Sequence, residues 1–596
     1  METQQQVQFN KVYVIDDVLD CSDKMDFAVY KGGQSVNYQR LASNSASTSN
    51  IMFNVAVPSE TTIMSRKMFI EALVTLHVTA VNQSGGDLKP FDNGANGDHL
   101  SAYPLHSMCS SAQVTINNNT LSLDLQECLP MLTRSQDFIK QVPLWVCNSK
   151  PETLSCPKGS VVINGTFGDG QQGLQVANGG KNSVVSVSSV TPVATTNNAS
   201  FDITFKTIEP VLLSPFTFCA LDAPNQQGIY GITNFSMQYN ILSNGGSVLK
   251  SILPYYKNSN FAISVTEVTG AFLHVEYVTP KPSLTLNSLN VVPYYDIKSY
   301  KKTDAQIPFA SLKSLVATGA KQPSYSAITS LVSDTISLNV IPDKVCFYIR
   351  NKEQSGNGSG FYEKYAHITG VSINYNNVSG ILASASQEQL YNMTREAGLT
   401  QSYEEYYGYG YLPTWTGVPT TGSVCCLNFG QHIVLPSDWS APATLEATQF
   451  QLEVRYEIFG NYTELLPAAA AGGLANPTFT PELVMVFMTS GSLATDRGVT
   501  SRSLGLLSKE DVLNVSNEVS PIPAHEMRRM VGSGFWDVIK SIGKKTLPYL
   551  GALAPVLKQQ LGDTGLQGLA KKGLELSGFG RASGRAMGRK MSSKLY

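Results

Sequence analysis

At 596 residues the chain is too long for a single hydrophobic core, which predicts at least two domains. With 42% hydrophobic and 15% charged residues it is globular, and 27 Tyr and 24 Phe among abundant Ser, Asn, Thr and Gly point to an all-β protein with long loops. The net charge of −2 is uneven: residues 534–596 carry eleven Lys/Arg against three Asp/Glu, leaving 32 against 42 elsewhere, so only the tail is suited to an anionic partner.

The opening stretch METQQQVQFNKVYV lacks the basic and apolar regions of a signal peptide, and no run approaches the roughly 18 apolar residues of a membrane span. An intracellular, soluble body is therefore expected. The nine Cys (21, 109, 128, 147, 156, 219, 346, 425 and 426) are scattered without a CxxC, and the His residues show no HxxxH or HExxH spacing. This argues against a disulfide framework and a zinc site, and for reduced thiols.

Along the chain, period-two alternation recurs. Val114 and Ile116 alternate before NNNT, and Leu121, Leu123 and Leu125 after it, which predicts a hairpin with an Asn-rich turn. Phe201, Ile203 and Phe205 mark another strand, and Leu273, Val275 and Tyr277 share one face of AFLHVEYV. After the Pro-punctuated stretch TPKPSLTLNSLNVVPYYDIK (279–298) a second set begins, with Ile336, Leu338 and Val340, then Val345, Phe347 and Ile349, then Val371, Ile373 and Tyr375. In QFQLEVRYEIF the residues Phe450, Leu452, Val454, Tyr456 and Ile458 line one face, while ELVMVFM (482–488) is continuously apolar, as in a strand covered on both sides.

SASQEQLYNMTREAG reads as a short helix, with Ser386 and Gln389 placed for a capping box and Gly398 as the stop. Ser508 and Asp511 occupy corresponding places in SKEDVLN. Long polar inserts at 82–100, 157–200, 351–360 and 402–422 predict functional or projecting loops. The fold expected from pattern is all-β, with two β-rich halves of similar length.

No phosphate loop GxxxxGK[ST], no GxGxxG opening a helix and no GxSxG elbow occurs. His106 and Cys109 are expected as core or interface residues, and Asp16 and Asp17 as a solvated turn. No catalytic residue, metal ligand or cofactor is assigned.

Several segments, in their order along the chain, carry a resemblance: YKGGQSVNY (30–38), AYPLHSMCSSAQVTINNNTLSLDLQE (102–127), EYVTPKPSLTLNSLNVVPYYDIKSY (276–300), NNVSGILASASQEQLYNMTREAG (376–398) and LLSKEDVLN (506–514). The chain resembles the double jelly-roll major capsid proteins of virophages and Polinton-like viruses, relatives in architecture of the adenovirus hexon. The resemblance implies an N-terminal arm (1–24), a first eight-stranded jelly roll (25–280), a linker (281–297), a second jelly roll (298–505), a helical segment (506–533) and a basic amphipathic or flexible tail (534–596). It further implies homotrimeric capsomers of pseudo-sixfold outline in an icosahedral double-stranded DNA virus shell, with penton or vertex proteins, minor capsid proteins and a maturation protease as partners. The aromatic loop SYEEYYGYGYLPTW is expected either at a subunit contact or tower surface or packed on its own barrel. The competing reading is a receptor- or carbohydrate-binding β-sandwich of the virion surface, although no shaft or anchor pattern is visible.

Proteases of the adenovirus type, carried by many viruses with this capsid fold, prefer an apolar residue, any residue, Gly, any residue and Gly, and cut before the last Gly. Met530, Gly532, Ser533 and Gly534 fit this rule, as do Leu576, Gly578, Phe579 and Gly580. Glycines let a backbone lie extended in a narrow cleft. The released peptide would present Phe535, Val538, Ile539 and Ile542 at helical spacing, with Trp536 beside them and Lys540, Lys544 and Lys545 toward the polar side. Such a basic helix suits a membrane interface; assembly scaffolding and phosphate contact with packaged DNA are its other expected roles.

Overall fold

A computed structural model describes residues 35–81, 99–100, 103–135, 184–187, 191–193, 198–216, 228–246, 248–250, 260–280, 286, 289–308, 329–352, 365–411, 417–419, 422–435, 440–458 and 478–505. Two barrels follow one another. The principal strands of the first are β1 (Ser35–Ala42), β2 (Asn50–Ala56), β3 (Phe69–Val81), β4 (Cys109–Ile116), β5 (Asn119–Asp124), β6 (Asn198–Pro210), β7 (Asn234–Ile241) and β8 (Asn260–Thr279). Those of the second are β9 (Leu289–Thr303), β10 (Ile336–Leu338), β11 (Lys344–Asn351), β12 (His367–Tyr375), β13 (Val378–Ile381), β14 (Cys425–Asn428), β15 (Thr448–Glu457) and β16 (Pro481–Asp496). A hairpin adds β17 (Val499–Leu504) to β16.

Antiparallel pairing assembles the first barrel from the sheets β1-β8-β3-β6 and β2-β7-β4-β5. The second repeats this order, as β9-β16-β11-β14 and β10-β15-β12-β13. Each strand of the second barrel thus has its counterpart eight places earlier, and each barrel is a jelly roll of two packed sheets. The duplication reaches single residues. β4 turns into β5 through Asn117 and Asn118, and β12 into β13 through Asn376 and Asn377; the first Asn of each pair holds positive φ, at 56° and 51°. Asn tolerates this region better than other non-glycine residues.

The predicted alternations hold where they fall on strands. Phe201, Ile203 and Phe205 are buried, as are Leu273, Val275 and Tyr277, and Phe450, Leu452, Val454 and Tyr456. Two details differ. Leu125 does not extend β5 but opens helix α2 (Leu125–Leu132), because from there the apolar residues Leu125, Cys128, Leu129 and Leu132 follow helical rather than period-two spacing. Val340 lies past the end of β10 and is only half-buried. The short helix α1 (Pro104–Met108) precedes β4, α3 (Gln387–Glu396) follows β13 and α4 (Tyr403–Tyr407) comes next. At α3 the capping box forms as predicted: Ser386 Oγ accepts from Gln389 N and the Gln389 side chain accepts from Ser386 N, while Gly398 follows at φ 93°.

Candidate functional site at the seam between the barrels

ELVMVFM, buried throughout in β16, shows how the barrels meet. Leu483, Met485 and Phe487 belong to the core of the second barrel; Val484, Val486 and Met488 face the other way and join the apolar cluster of the first. β11 divides likewise, with Val345, Phe347 and Ile349 inward and Cys346 and Tyr348 outward. Side chains alternate across a strand, so one sheet serves two cores. Each such side chain contributes about 1.5–3 kcal/mol by leaving water. The partner surface is α2, where Leu125, Glu127, Cys128, Leu129, Pro130, Met131 and Leu132 are all buried.

Polar contacts fix the register of this apolar seam. Glu127 of α2 accepts from Lys301 Nζ at 3.0 Å and Arg350 Nη2 at 3.2 Å, and Arg350 Nε donates to Glu482 at 2.8 Å. The Tyr348 hydroxyl donates to the Glu127 carbonyl at 3.0 Å. Burial works against the charge of Arg350, but Tyr348, Glu482 and Glu127 outweigh it and hold the guanidinium protonated. A strand-like bridge joins Ser135 to Leu399, and Thr400 N donates to the Arg134 carbonyl at 2.8 Å.

A second clasp uses the Asn-rich turn. Asn117 Nδ2 donates to the Gly231 carbonyl at 3.1 Å and to Thr500 Oγ1 at 2.9 Å, while its Oδ1 accepts from Thr233 N at 2.8 Å. Asn118 Oδ1 accepts from Thr500 N at 2.8 Å, and Gly498 N donates to the Gly231 carbonyl at 3.0 Å. A Cβ on Gly498, whose φ is 84°, would stand about 3.0 Å from Thr233 Oγ1. A hairpin tip of the first barrel therefore grips the β16–β17 hairpin of the second.

The outer wall of the first barrel has a different character. Glu71 on β3 accepts from both Arg40 Nε and Nη2 on β1 at 3.0 Å, from Lys206 on β6 at 2.7 Å and from His274 on β8 at 2.9 Å. Burial opposes ionisation of Glu71, but Lys206, Arg40 and His274 prevail and bring its carboxyl down to about 2. Tyr38 stands 76% exposed beside this cluster.

His106 and Cys109 are fully buried in the first core, as expected. His106 Nδ1 meets Glu209, which also accepts from Leu105 N, His106 N and Thr207 Oγ1. Burial, then the nearby Glu209, pushes the Cys109 thiol well up, which suits a packing role. The expectation of reduced cysteines is corrected at one place: Cys346 and Cys426 are register partners on β11 and β14 and their sulfurs are bonded. Their separation of 80 residues hides an adjacency that strand pairing creates. Of the aromatic loop, Tyr406 is buried in the second core and Tyr403 is 38% exposed. Among the described residues no group of three or more His, Cys, Asp or Glu could hold a metal ion, and no helix is long and apolar enough to cross a membrane. Asp16, Asp17, the helix start at Ser508 and Asp511, the cleavage motifs at 530–534 and 576–580 and the tail helix residues 535–542 lie outside the described residues.

Sequence reasoning missed Glu127, Arg350, Glu482 and Glu71 as seam and wall residues. Two carried a signal: Arg350 ends the apolar run VCFYIR, and Glu482 opens the apolar run of β16. A charge embedded in such a strand needs a partner.

Residues 7–146 and 155–281 match the family model of the Sputnik virophage major capsid protein first domain, and residues 313–491 match that of the major capsid protein V20 C-terminal domain. The putative capsid protein V20 of Sputnik virophage is 22% identical over 567 residues, covering 90% of this chain and 87% of its own length. A chain from the cryo-EM structure of the Sputnik virophage superposes with a TM-score of 0.63 at 19% identity, covering 87% of this chain and 98% of its own. The crystal structure of the mavirus major capsid protein gives 0.57 at 12% identity, covering 88% and 99%. With two successive domain models in the order of the two barrels, and the same fold in both solved relatives, the chain belongs to the virophage major capsid proteins of the double jelly-roll type.

Proposed function

We propose that this capsid protein forms homotrimers of pseudo-sixfold outline that tile an icosahedral shell around a double-stranded DNA genome, with penton or vertex proteins and minor capsid proteins completing it. One observation carries the reading: two barrels of the same strand order are fused into one body by a shared apolar wall. Three such chains supply six similar walls, which suits hexagonal packing. Obligate assemblies of this kind bury on the order of 2,000–5,000 Å² per interface. Function then resides in interfaces rather than in a catalytic site. Light scattering on the purified full-length chain should give the mass of three copies, with hexagonal outlines by electron microscopy. Monomers or elongated particles would overturn the trimer.

The tail is the substrate of a viral cysteine protease in this reading. Cleavage after Ser533 and Phe579 separates the body from the segment beginning Gly534-Phe535-Trp536, whose basic amphipathic pattern supports an assembly role before cleavage and membrane or DNA contact after it. Intact-mass spectrometry of the virion protein is the test. A chain still ending at Tyr596, with no terminus at Ser533 or Phe579, sinks the cleavage proposal.

A further inference from the structure

Of the five cysteines described, two differ from the rest in what surrounds them. Cys109, Cys128 and Cys425 are buried, and burial pushes each thiol up, that of Cys425 to about 11, which suits packing. Cys346 and Cys426 instead line a cavity of about 30 Å³ at the seam, with Leu132 of α2, Leu399 beyond α3 and Met488 of β16. At roughly 10–15 Å³ for each water, that space takes about two waters. It therefore admits a molecule the size of hydrogen peroxide and excludes a tripeptide thiol or its disulfide. Half-buried Ser135 and Lys344 give the cavity its polar side.

Lys344 stands two residues before Cys346 on β11, so the two side chains share one face of the strand. Among the described residues no carboxylate pairs with the Lys344 ammonium. A cation beside a thiol favours the thiolate, the form that reacts. A small cavity, two thiols within bonding reach and an unpaired cation thus meet at one place.

We propose that Cys346 and Cys426 are a dithiol that a small peroxide oxidises once the chain has folded. The Cys346 thiolate attacks one peroxide oxygen; an S–O bond forms, the O–O bond breaks, and the leaving hydroxide takes up the proton that the thiol gave up. Cys426 then attacks the sulfenic sulfur; the S–S bond forms, the S–O bond breaks, and the second hydroxide leaves as water with the Cys426 proton. Two thiols give up two electrons and two protons, and one peroxide becomes two waters. The bond fastens an edge. Among the described residues β14 pairs with β11 alone, through four residues. The separation of 80 residues spans β12, β13, α3 and α4, so one covalent link restrains all of them.

The test starts from full-length protein expressed in a reducing cell and purified under a reductant that is then removed. It is exposed to hydrogen peroxide or to oxidised glutathione, quenched with N-ethylmaleimide and mapped by mass spectrometry. The rate of Cys346–Cys426 bond formation is taken as a ratio, peroxide over oxidised glutathione, for folded and for urea-unfolded chain. Folding should raise that ratio about tenfold or more, because only the folded chain screens oxidants by size. In Cys426→Ser the reaction should halt at a sulfenic acid on Cys346, trapped by dimedone, and Lys344→Met should slow the trapping about threefold or more at neutral pH. The site is overturned by a ratio that folding leaves unchanged, or by thiol loss at Cys109, Cys128 and Cys425 as fast as at the pair. Sulfenic acid trapped on Cys426 in Cys346→Ser as fast as on Cys346 overturns it too, as does a chain that leaves the reducing cell with the bond already formed. The ratio is read on the parent sequence, so a variant that fails to fold does not remove the test.

Discussion

Glu71 is the residue whose environment makes the sharpest demand. A carboxyl lowered from 4.5 to about 2 stabilises the fold above its unfolded value and loses that contribution as pH falls through its folded one. Glu71→Gln mimics the protonated state, so parent and variant should differ in melting temperature above pH 4.5 and converge toward pH 2. A gap that stays constant across that window would refute the assignment. Arg66 poses the opposite case. It is 1% exposed, and among the described residues no hydrogen-bond acceptor meets its buried Nε, Nη1 and Nη2. An unpaired buried charge costs several kcal/mol, and apolar replacement of buried ions is neutral or stabilising by about 1–4 kcal/mol. Arg66→Met should raise the melting temperature; a fall would show that Arg66 has a favourable role the contacts do not reveal. Neither Glu71 nor Arg66 was legible in advance, although the burial of His106 and Cys109 was. Glu71 and Arg66 sit in no pattern, and each acquires its meaning from strands that arrive from distant parts of the chain.

Elements were the most legible level, because their signals are local. Period-two runs placed β6, β12 and β15, and the Ser386–Gln389 pair placed the start of α3 with both of its reciprocal bonds. Removing that cap has a known scale: Ser386→Ala should cost about 1 kcal/mol, measured by denaturant unfolding at fixed m. An unchanged midpoint would mean that tertiary packing alone holds the helix. α2 was missed for an equally local reason. LSLDLQECLPML alternates up to Leu125 and only then changes period, with Pro130 inside the helix as a further misleading sign. Its identity as a helix is settled by the second barrel's wall, which supplies the apolar surface it covers.

At the scale of the molecule, composition and alternation were enough to divide the chain into two β-rich halves, but not to show which faces meet. ELVMVFM announced burial on both sides; it could not announce that the two sides belong to different barrels. Since Val484, Val486 and Met488 pack in the cluster of the first barrel, the two barrels should unfold as one unit. Calorimetry of the full chain is expected to show a single transition whose van't Hoff and calorimetric enthalpies agree for the described body, and two separated peaks would contradict the shared wall. Asn117→Ala removes donors to both Gly231 and Thr500, at roughly 1–3 kcal/mol for the groups left unsatisfied, and should lower that single transition rather than split it.

β16 adds a constraint on how the protein can go wrong while folding. Sliding it one residue against β9 or β11 would send Leu483, Met485 and Phe487 out of the second barrel and thrust Val484, Val486 and Met488 into it, spoiling both interiors in a single move. A misaligned chain is thereby penalised twice, and has no half-correct form in which one barrel is sound. Correct pairing of this one strand is thereby a shared condition for the closure of both interiors.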